Sequence, residues 1–283
     1  SLHEYEEYRY AVGTHRSIGE IQAVLNRISW CICTALTPQD IIAHVREVYD
    51  DSAKSHKWGT SHTSVADGLI AFVNLPQVKN RGFLLDLGCG PSAHDALFLS
   101  CSDRGFRSSL MENVNNGIPE KTFRVVAIDI SPNVVTHAVD AIEMEHAGWD
   151  IFGTSHLMSN VQVSDMHNLS QLSERFNGIW SHNALFMHTP HALVRSALQS
   201  IASVLLPNAV FGVSYPLSNN RVYDRLICLP DGRVNYYSFP TPTFISYEAK
   251  HVGLHIVGQT QWDRECNGKI VKNFSFTKFF EKR

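Results

Sequence analysis

Two glycines and three carboxylates stand where apolar segments of the chain end. Gly88 and Gly90 follow an apolar run that ends in Asp86. A glycine turn lets a ligand approach the backbone, because no β-carbon blocks it. Asp129 and Asp165 end two later apolar segments. If these segments are parallel strands, one carboxylate can accept hydrogen bonds from both ribose hydroxyls and another from an adenine amino group. The spacing therefore predicts an adenosine-binding site.

Two other interpretations fit the glycine turn when it is taken alone. A dinucleotide-binding turn has the pattern G-x-G-x-x-G, and this chain has no third glycine at that position. A glycine turn that binds no ligand is the second interpretation. It leaves the carboxylates at the ends of two further strands unexplained.

Short apolar segments that alternate with helical segments predict an α/β fold. From residue 83 onward, the strand candidates are 83–87, 123–128, 161–163, 178–181, 209–214, 255–259 and 274–279. Ser131-Pro132 and Thr189-Pro190 have the pattern of helix starts. The prediction is a Rossmann-like, seven-stranded, mostly parallel sheet with helices on both faces. The last two strands are close together in sequence, which favours an antiparallel end.

Residues 1–64 are predicted to form a helical N-terminal extension and lid. The segment 37–40, Thr-Pro-Gln-Asp, is typical of a helix start, and the polar residues 51–64 are predicted to be a loop. Apolar residues recur earlier at helical spacing, at Ile18, Ile21, Leu25 and Ile28.

The main domain is predicted to span residues 65–283. Residues 104–121 interrupt its pattern with a polar stretch, predicted to be an insertion or a flexible loop. Residues 216–238 form an excursion on the substrate side, with two short strand candidates at 225–229 and 234–237.

Several segments of the chain resemble a known family. Motifs I, post-I, II, IV and V of class I S-adenosylmethionine-dependent methyltransferases are similar, in order, to LDLGCGPSAHDALFLS, VVAIDISPNVVTHA, NVQVSDMHNLS and FNGIWSHNALFMHTPHALVRSALQSIASVLLPNAVFGVSY. The resemblance covers residues 83–280, does not cover residues 1–50, and is nearest to the UbiE-like, small-molecule branch. It departs from the family at Ser92, which replaces the usual third glycine, and at 104–121, which lengthens the path to Asp129.

The resemblance implies S-adenosyl-L-methionine as the cofactor and S-adenosyl-L-homocysteine as its product. It also implies which residues bind the cofactor. These are Asp86, Gly88, Cys89 and Gly90 around the methionine part, Asp129 at the ribose, Ile130 against adenine, Asp165 and Met166 at the adenine edge, Ser181 near the amino group and sulfonium, and Tyr49 at the carboxylate.

The resemblance further implies that the segment after the fourth strand candidate faces the methyl group. Methyl transfer from a sulfonium is an in-line displacement, so positioning supplies much of the acceleration, and a base is needed only for a protonated acceptor. His188 is the first candidate for a base or substrate hydrogen-bond partner, and the alternative is that it packs the next helix. His182 is expected to be structural more than catalytic, and Asn183 is a candidate for orienting an acceptor. Ser181, His182 and Asn183 stand where catechol-type relatives hold a metal, so no metal is predicted.

Two aromatic stretches are candidates for the walls of an acceptor site. Aromatic walls exclude water and stabilise a cationic or planar acceptor. Packing within the core is the alternative. The residues are Tyr5, Tyr8 and Tyr10 in the extension and Tyr236, Tyr237 and Phe239 in the excursion.

Composition narrows the class of partner. The chain has 24 basic and 27 acidic residues and a net charge of −3, which argues against a nucleic-acid substrate. No stretch reaches the roughly 18–20 apolar residues of a membrane span, and the first residues do not resemble a signal or transit peptide. We expect a cytoplasmic monomer or homodimer, with no nucleic-acid or membrane partner, that methylates a small molecule of secondary metabolism.

Three alternatives stay open at the level of sequence. One is an enzyme of the same fold that binds the cofactor but catalyses another reaction, such as a cyclisation. A second is a non-catalytic, cofactor-binding partner subunit. The third, a nucleic-acid methyltransferase, is disfavoured because no [DNS]-P-P-[FYW] motif follows the fourth strand candidate. The sequence leaves oxygen, nitrogen and carbon open as the methylated atom.

Overall fold

The computed structural model shows a central sheet with helices on both faces. It describes residues 17, 19–23, 25, 36–54, 67–101, 104–110, 120–148, 157, 160–216, 224–229, 233–266 and 269–283. Part of the predicted helical stripe and the first aromatic stretch lie outside the described residues, namely Ile18, Ile28, Tyr5, Tyr8 and Tyr10.

The described residues contain a seven-stranded sheet and a separate two-stranded hairpin. The strands are β1 (Phe83–Leu87), β2 (Arg124–Asp129), β3 (Val161–Val163), β4 (Phe176–His182), β5 (Leu205–Pro216), β6 (Asp224–Cys228), β7 (Val234–Ser238), β8 (Leu254–Cys266) and β9 (Lys269–Lys282). The sheet order is β3-β2-β1-β4-β5-β9-β8, and β6 pairs with β7. Strands β1 to β5 are parallel, and β9 is antiparallel to both of its neighbours. The predicted Rossmann-like fold with an antiparallel end is confirmed.

Helices cover both faces of the sheet, because alternate residues of its buried strands point to opposite sides. The helices are α1 (Pro38–Lys54), α2 (Asp67–Asn74), α3 (His94–Ser100), α4 (Arg104–Ser109), α5 (Pro132–Gly148), α6 (Leu185–His188), α7 (Val194–Val204) and α8 (Pro242–Lys250). Leu85 of β1 belongs to an apolar cluster with Ile201 of α7 and Ile245 of α8. Leu84, the preceding residue, belongs to the opposite cluster, with Phe72 of α2. None of the helices in these described ranges is both long enough and apolar enough to cross a membrane.

Helix α1 begins at the predicted start signal. The Asp40 N–H donates to Thr37 Oγ1 at 3.2 Å, and the Thr37 N–H donates to Asp40 Oδ2 at 3.1 Å. This reciprocal cap satisfies N–H groups that the first helical turn leaves without partners. The buried face of α1 joins the hairpin β6–β7 in a third apolar cluster, made of Ile21, Leu25, Ile41, Val45, Leu226, Cys228, Val234 and Tyr236. The N-terminal extension and the excursion therefore share one small core.

Asp50 fixes the far end of α1 to the start of α5. Its Oδ1 accepts hydrogen bonds from Ser131 Oγ at 2.9 Å and from the Asn133 N–H at 3.1 Å. Its Oδ2 lies 3.0 Å from Lys54 Nζ. Although burial opposes ionisation, these hydrogen bonds lower the pKa of Asp50 to about 2. An ionised carboxylate on α1 thus caps α5, which holds α1 against the edge of the sheet.

Three of the differences from the sequence prediction concern helices. Residues 51–54, predicted as loop, are the last turn of α1, where Lys54 pairs with Asp50 four residues earlier. The stretch 104–121 contains helix α4, because Phe106 is buried in the sheet core. The helix predicted to begin at Thr189-Pro190 starts as a 3₁₀ turn at His191–Leu193 and becomes α7 at Val194. Thr189 does not cap it, since its hydroxyl donates to the Leu185 carbonyl.

Gly212 on β5 provides a first test of this packing. A β-carbon there would lie 2.7 Å from Phe72 Cδ2 and 2.9 Å from Trp180 Cε3, both fully buried. We expect Gly212→Val to lower the free energy of unfolding by about 1–3 kcal/mol, measured by urea denaturation. Gly19→Ala is the control, because nothing lies within 4 Å of the added atom. An equal loss of stability in both variants would contradict this account of the core.

Candidate functional site

The glycine turn after β1 is fixed to the end of β2 by two backbone hydrogen bonds. The N–H groups of Gly88 and Cys89 both donate to the Ile128 carbonyl, at 2.8 and 3.0 Å. Gly88 and Gly90 have φ values of +74° and +65°, in the left-handed region that favours glycine. A β-carbon on Gly88 would collide with Ala184 Cβ, whereas one on Gly90 would enter open space. Gly88 therefore permits close packing, and Gly90 leaves one side of the turn accessible to a ligand.

Asp129, the last residue of β2, lies beside this turn. Its Oδ2 accepts a hydrogen bond from the Gly90 N–H at 3.3 Å, and its Oδ1 accepts one from the Ser131 N–H at 3.1 Å. Burial raises the pKa of Asp129 from 3.8 to about 6, although the backbone hydrogen bonds favour the ionised form. The backbone orients both carboxylate oxygens at the place where the sequence predicts a ribose.

Asp86, at the end of β1, is a buried carboxyl group with an unused acceptor. It is 2% exposed, and its Oδ2 has no hydrogen-bond partner among the described residues. Burial, followed by the nearby charges of Asp95 and Asp129, raises its pKa well above the ordinary value. Burial, followed by the nearby charges of Asp129 and Asp86, also raises the pKa of the Cys89 thiol. The turn is therefore an acidic, desolvated site in which a cationic ligand would be favoured.

Asp95, in the first turn of α3, connects that helix to β4. Its Oδ2 accepts a hydrogen bond from Trp180 Nε1 at 2.6 Å and lies 3.4 Å from His182 Nδ1. Although burial opposes ionisation, the contact with His182 is the main cause that lowers the pKa of Asp95. The structure therefore places His182, one of the three catalytic candidates, in contact with a structural carboxylate at the rim of the glycine turn.

Ser181 lies near the end of β4, and Asn183 directly follows the strand. The Ser181 hydroxyl donates to the Leu87 carbonyl at 3.1 Å and accepts from the Leu185 N–H at 3.3 Å, so the backbone uses it on both sides. Asn183 has a φ of +50°, and its N–H donates to the Ser214 carbonyl at 2.8 Å. Within the described part of the chain, no three His, Cys, Asp or Glu side chains group as metal ligands. The prediction of no metal stays a prediction.

A cavity of about 770 Å³ opens beside the ends of β2 and β3, next to α1. Met166 does not line it. Instead, Met166 is buried in the core, with its Cε 3.6 Å from the position of a β-carbon on Gly88. Its lining includes the apolar side chains of Ile42, Ile130 and Pro132, the carboxylates of Glu47, Asp50 and Asp165, the basic side chain of Arg46, and the imidazole of His167. The cavity therefore has the apolar contact and the acidic edge that the sequence predicts for adenine.

His188 is buried at the end of α6 and contacts Tyr49. The Tyr49 hydroxyl lies 2.7 Å from His188 Nε2, and His188 Nδ1 lies 3.2 Å from the Tyr236 carbonyl. Because a carbonyl only accepts, Nδ1 carries the proton, Nε2 accepts, and the Tyr49 hydroxyl donates. Burial lowers the pKa of His188 to about 4, so the ring is neutral at pH 7. The structure thus joins the predicted base and the predicted cofactor-carboxylate contact in one hydrogen-bonded pair.

The hairpin β6–β7 adds aromatic rings to this pair. The Tyr237 ring lies 5.1 Å from the His188 ring and 6.2 Å from the Phe239 ring, and the Arg225 guanidinium lies 4.6 Å from the centre of the Phe239 ring. Tyr236 is buried in the third apolar cluster. Of the three aromatic residues predicted in the excursion, Tyr237 and Phe239 therefore extend the ring cluster at His188, whereas Tyr236 is a core residue.

Three polar residues that hold the site together are not among those predicted from the sequence. They are Asp50, Asp95 and His167. Asp95 had a local signal, because it is an acid in the first turn of the helix that follows the glycines. The other two had none. Asp50 bonds to a residue 81 positions away, and His167 bonds to a residue 22 positions away. Such pairs become visible only when the strands are placed side by side.

Comparison with known proteins identifies the fold. No family model and no curated protein matches the sequence. Among solved structures, the 1,6-didemethyltoxoflavin N1-methyltransferase of Burkholderia thailandensis is similar over 87% of this chain and 91% of its own, with a TM-score of 0.59 and 16% identity. A SAM-dependent methyltransferase from Methanosarcina mazei (77% and 98%, TM-score 0.56, 15% identity) and a methyltransferase from Streptomyces caelestis (83% and 97%, 0.52, 12%) are also similar. The chain therefore has the fold of class I S-adenosylmethionine-dependent methyltransferases.

The raised pKa of Asp129 predicts a characteristic pH dependence of stability. The folded protein holds this proton more tightly than the unfolded chain, so wild-type stability decreases as pH rises from about 3.8 to about 6. We expect the stability of Asp129→Asn, relative to wild type, to increase by about 1–3 kcal/mol between pH 4 and pH 8 in urea titrations. Asp50→Asn is the control, since Asp50 is ionised throughout this range and its relative stability should stay constant. If the difference in stability between Asp129→Asn and wild type does not change with pH, the raised pKa of Asp129 is wrong.

The hydrogen bonds of His188 predict one tautomer with no titration near neutral pH. In protein labelled with ¹⁵N-histidine, we expect the His188 signals to show the Nδ1–H form unchanged from pH 5.5 to pH 8.5, because burial lowers its pKa to about 4. The signals are assigned by their loss in His188→Gln. The exposed His251 serves as an internal comparison in the same spectra. A His188 midpoint near 6.5, or an Nε2–H form, would show that the pair with Tyr49 is wrong.

Proposed function

We propose that the protein is an S-adenosyl-L-methionine-dependent methyltransferase that transfers a methyl group to an oxygen, nitrogen or carbon atom of a small molecule. The observation that carries the proposal is the group of buried and partly buried carboxylates around an open glycine turn, on the fold of class I methyltransferases. The similar Burkholderia enzyme was crystallised with S-adenosylhomocysteine and its small-molecule substrate in place. A net charge of −3 supports a small-molecule acceptor over a nucleic acid. The nearer relation to the UbiE-like branch stays part of the proposal.

The residues present fit the cofactor. Asp129 offers two backbone-oriented oxygens to the ribose hydroxyls, and Ile130 with Asp165 lines the cavity for the adenine ring. The open side of Gly90 gives room for the methionine part. The cofactor carries a sulfonium and an ammonium group, so its positive charge complements the Asp86 oxygen at the same turn, which has no hydrogen-bond partner in the described part of the chain.

The bound cofactor supplies an activated methyl group, and the protein positions the acceptor against it. His188 is neutral, and its Nε2 lone pair accepts from Tyr49, so we assign it to holding Tyr49 rather than to removing a proton. Asn183 and His182 stay candidates for orienting the acceptor. The site therefore favours an acceptor whose lone pair is available at neutral pH without a general base. The stacked rings of Tyr237 and Phe239, next to His188, are the candidates for contact with a planar acceptor.

Calorimetry with S-adenosylhomocysteine tests cofactor binding directly. We expect wild type to bind and Asp129→Ala to lose at least about tenfold in affinity, because hydrogen bonds to a charged group contribute about 1.5–3 kcal/mol. Gly90→Ala should weaken binding, because its methyl group enters the open space of the site, and its left-handed φ of +65° should also cost about 1–2 kcal/mol of stability. Glu281→Ala, on β9, is the control and should bind like wild type. Unchanged binding in Asp129→Ala would remove Asp129 from the site.

Transfer itself is tested with S-adenosylmethionine carrying a labelled methyl group, incubated with pools of small metabolites. A labelled product that forms with wild type and is lost with Asp129→Ala supports the proposed reaction. Binding of the cofactor without transfer to any pool would favour another reaction on the same fold, or a non-catalytic subunit.

A further inference from the structure

His167 joins two segments that approach the cavity from different strands. Its Nδ1 lies 2.8 Å from Asp165 Oδ1, just after β3, and its Nε2 lies 2.8 Å from Thr189 Oγ1, just after α6. Thr189 is fully buried, and its hydroxyl also bonds to the Leu185 carbonyl. The imidazole is thus held on both edges, between the predicted adenine-binding acid and the helix that carries His188.

The hydrogen bonds of Thr189 set the direction in which the His167 ring donates. The Thr189 hydroxyl has one proton, and it goes to the Leu185 carbonyl because a carbonyl only accepts. His167 Nε2 must therefore donate to Thr189, and Nδ1 donates to the carboxylate of Asp165. The contact that orients Asp165 is therefore a hydrogen bond from Nδ1 to a charged acceptor, and Thr189 holds the opposite edge of the ring.

The same contacts orient Asp165. Both the backbone N–H and Nδ1 of His167 donate to Oδ1 of Asp165, each at 2.8 Å. The described residues give its Oδ2 no hydrogen bond, and Asp165 is 43% exposed where it lines the cavity, against 10% for His167. Although burial opposes ionisation, His167 keeps the pKa of Asp165 below its ordinary value. One carboxylate oxygen is therefore fixed, and the other is left to the cavity as an acceptor only.

We propose that His167 is a positioning residue that makes the cavity select a purine with a 6-amino group. An ionised, fixed Asp165 accepts a hydrogen bond from the amino group of adenine, and it repels the 6-oxo group of hypoxanthine, which only accepts. This inference rests on the proposed function, because it takes the cavity beside Asp165 as the adenine pocket. Without His167, Asp165 is free to turn towards solvent, and the selection weakens.

The test compares two ligands by calorimetry on the full chain, S-adenosylhomocysteine and S-inosylhomocysteine, which differ at position 6 of the purine. We expect wild type to prefer the adenosine form by about 10- to 100-fold, the range for one hydrogen bond to a charged group. His167→Ala should reduce this preference to about threefold or less, mainly through weaker binding of the adenosine form. Thr189→Val keeps the side-chain shape but removes the Nε2 partner, and it should give an intermediate preference. His251→Ala, at an exposed histidine bonded to the Tyr247 carbonyl, is the matched control and should leave the preference unchanged.

The two ligands separate positioning from a purely structural role. If His167→Ala weakens both ligands equally and keeps the wild-type preference, His167 only stabilises the fold and the inference is overturned. Circular dichroism and the melting temperature show whether His167→Ala folds. If it does not, the preference of Thr189→Val between the two ligands decides between the two roles. Wild type that binds both ligands equally would overturn the role of His167 while leaving the cofactor site in place. Wild type that binds neither would overturn the proposed function as well.

Discussion

The Ile128 carbonyl accepts hydrogen bonds from both Gly88 and Cys89, and the rest of the site depends on this contact. It fixes the glycine turn of β1 to the end of β2, which brings the Gly90 N–H to Asp129. The parallel pairing of β1 with β2 places Asp86 near Asp129, and Asp95 of α3, which bonds to Trp180 of β4, lies close enough to raise the pKa of Asp86 as well. Their burial is unfavourable for the protein alone, and it becomes favourable when a cation is bound. The acidity of the turn is thus best understood as complementarity to a positively charged cofactor.

A second layer, made of helix α1 and the hairpin β6–β7, covers the edge of the sheet at which the site lies. Helix α1 is held by the Asp50 cap on α5 and by the apolar cluster that it shares with the hairpin β6–β7. Tyr49 on α1 bonds to His188 on α6, so the layer and the sheet meet at the proposed acceptor side. Because these contacts link elements far apart in sequence, movement of α1 would alter both the adenine cavity and the aromatic wall. Helix α1 therefore connects the proposed adenine cavity to the proposed acceptor side.

The sequence predicted the sheet well, because its central strands are short apolar runs bounded by glycine and acidic residues. Strands β1 and β3 have the predicted bounds, and Thr37 and Asp40 cap α1 as their spacing indicates. Strands β8 and β9 are longer than predicted, since their outer parts lack the apolar runs used to find strands. The hydrogen bonds between side chains of the site could mostly not be predicted from the sequence. Asp165 was found because it ends a strand, whereas the role of His167 depends on a threonine that only the fold brings near.

The most direct test of the account is a crystal structure of the chain with S-adenosylhomocysteine. We expect the ribose hydroxyls on Asp129, the adenine between Ile130 and Asp165, and the homocysteine along the turn at Gly88 and Gly90. A nicotinamide dinucleotide retained in this cleft, or a cleft filled by side chains with the ligand bound elsewhere, would contradict it.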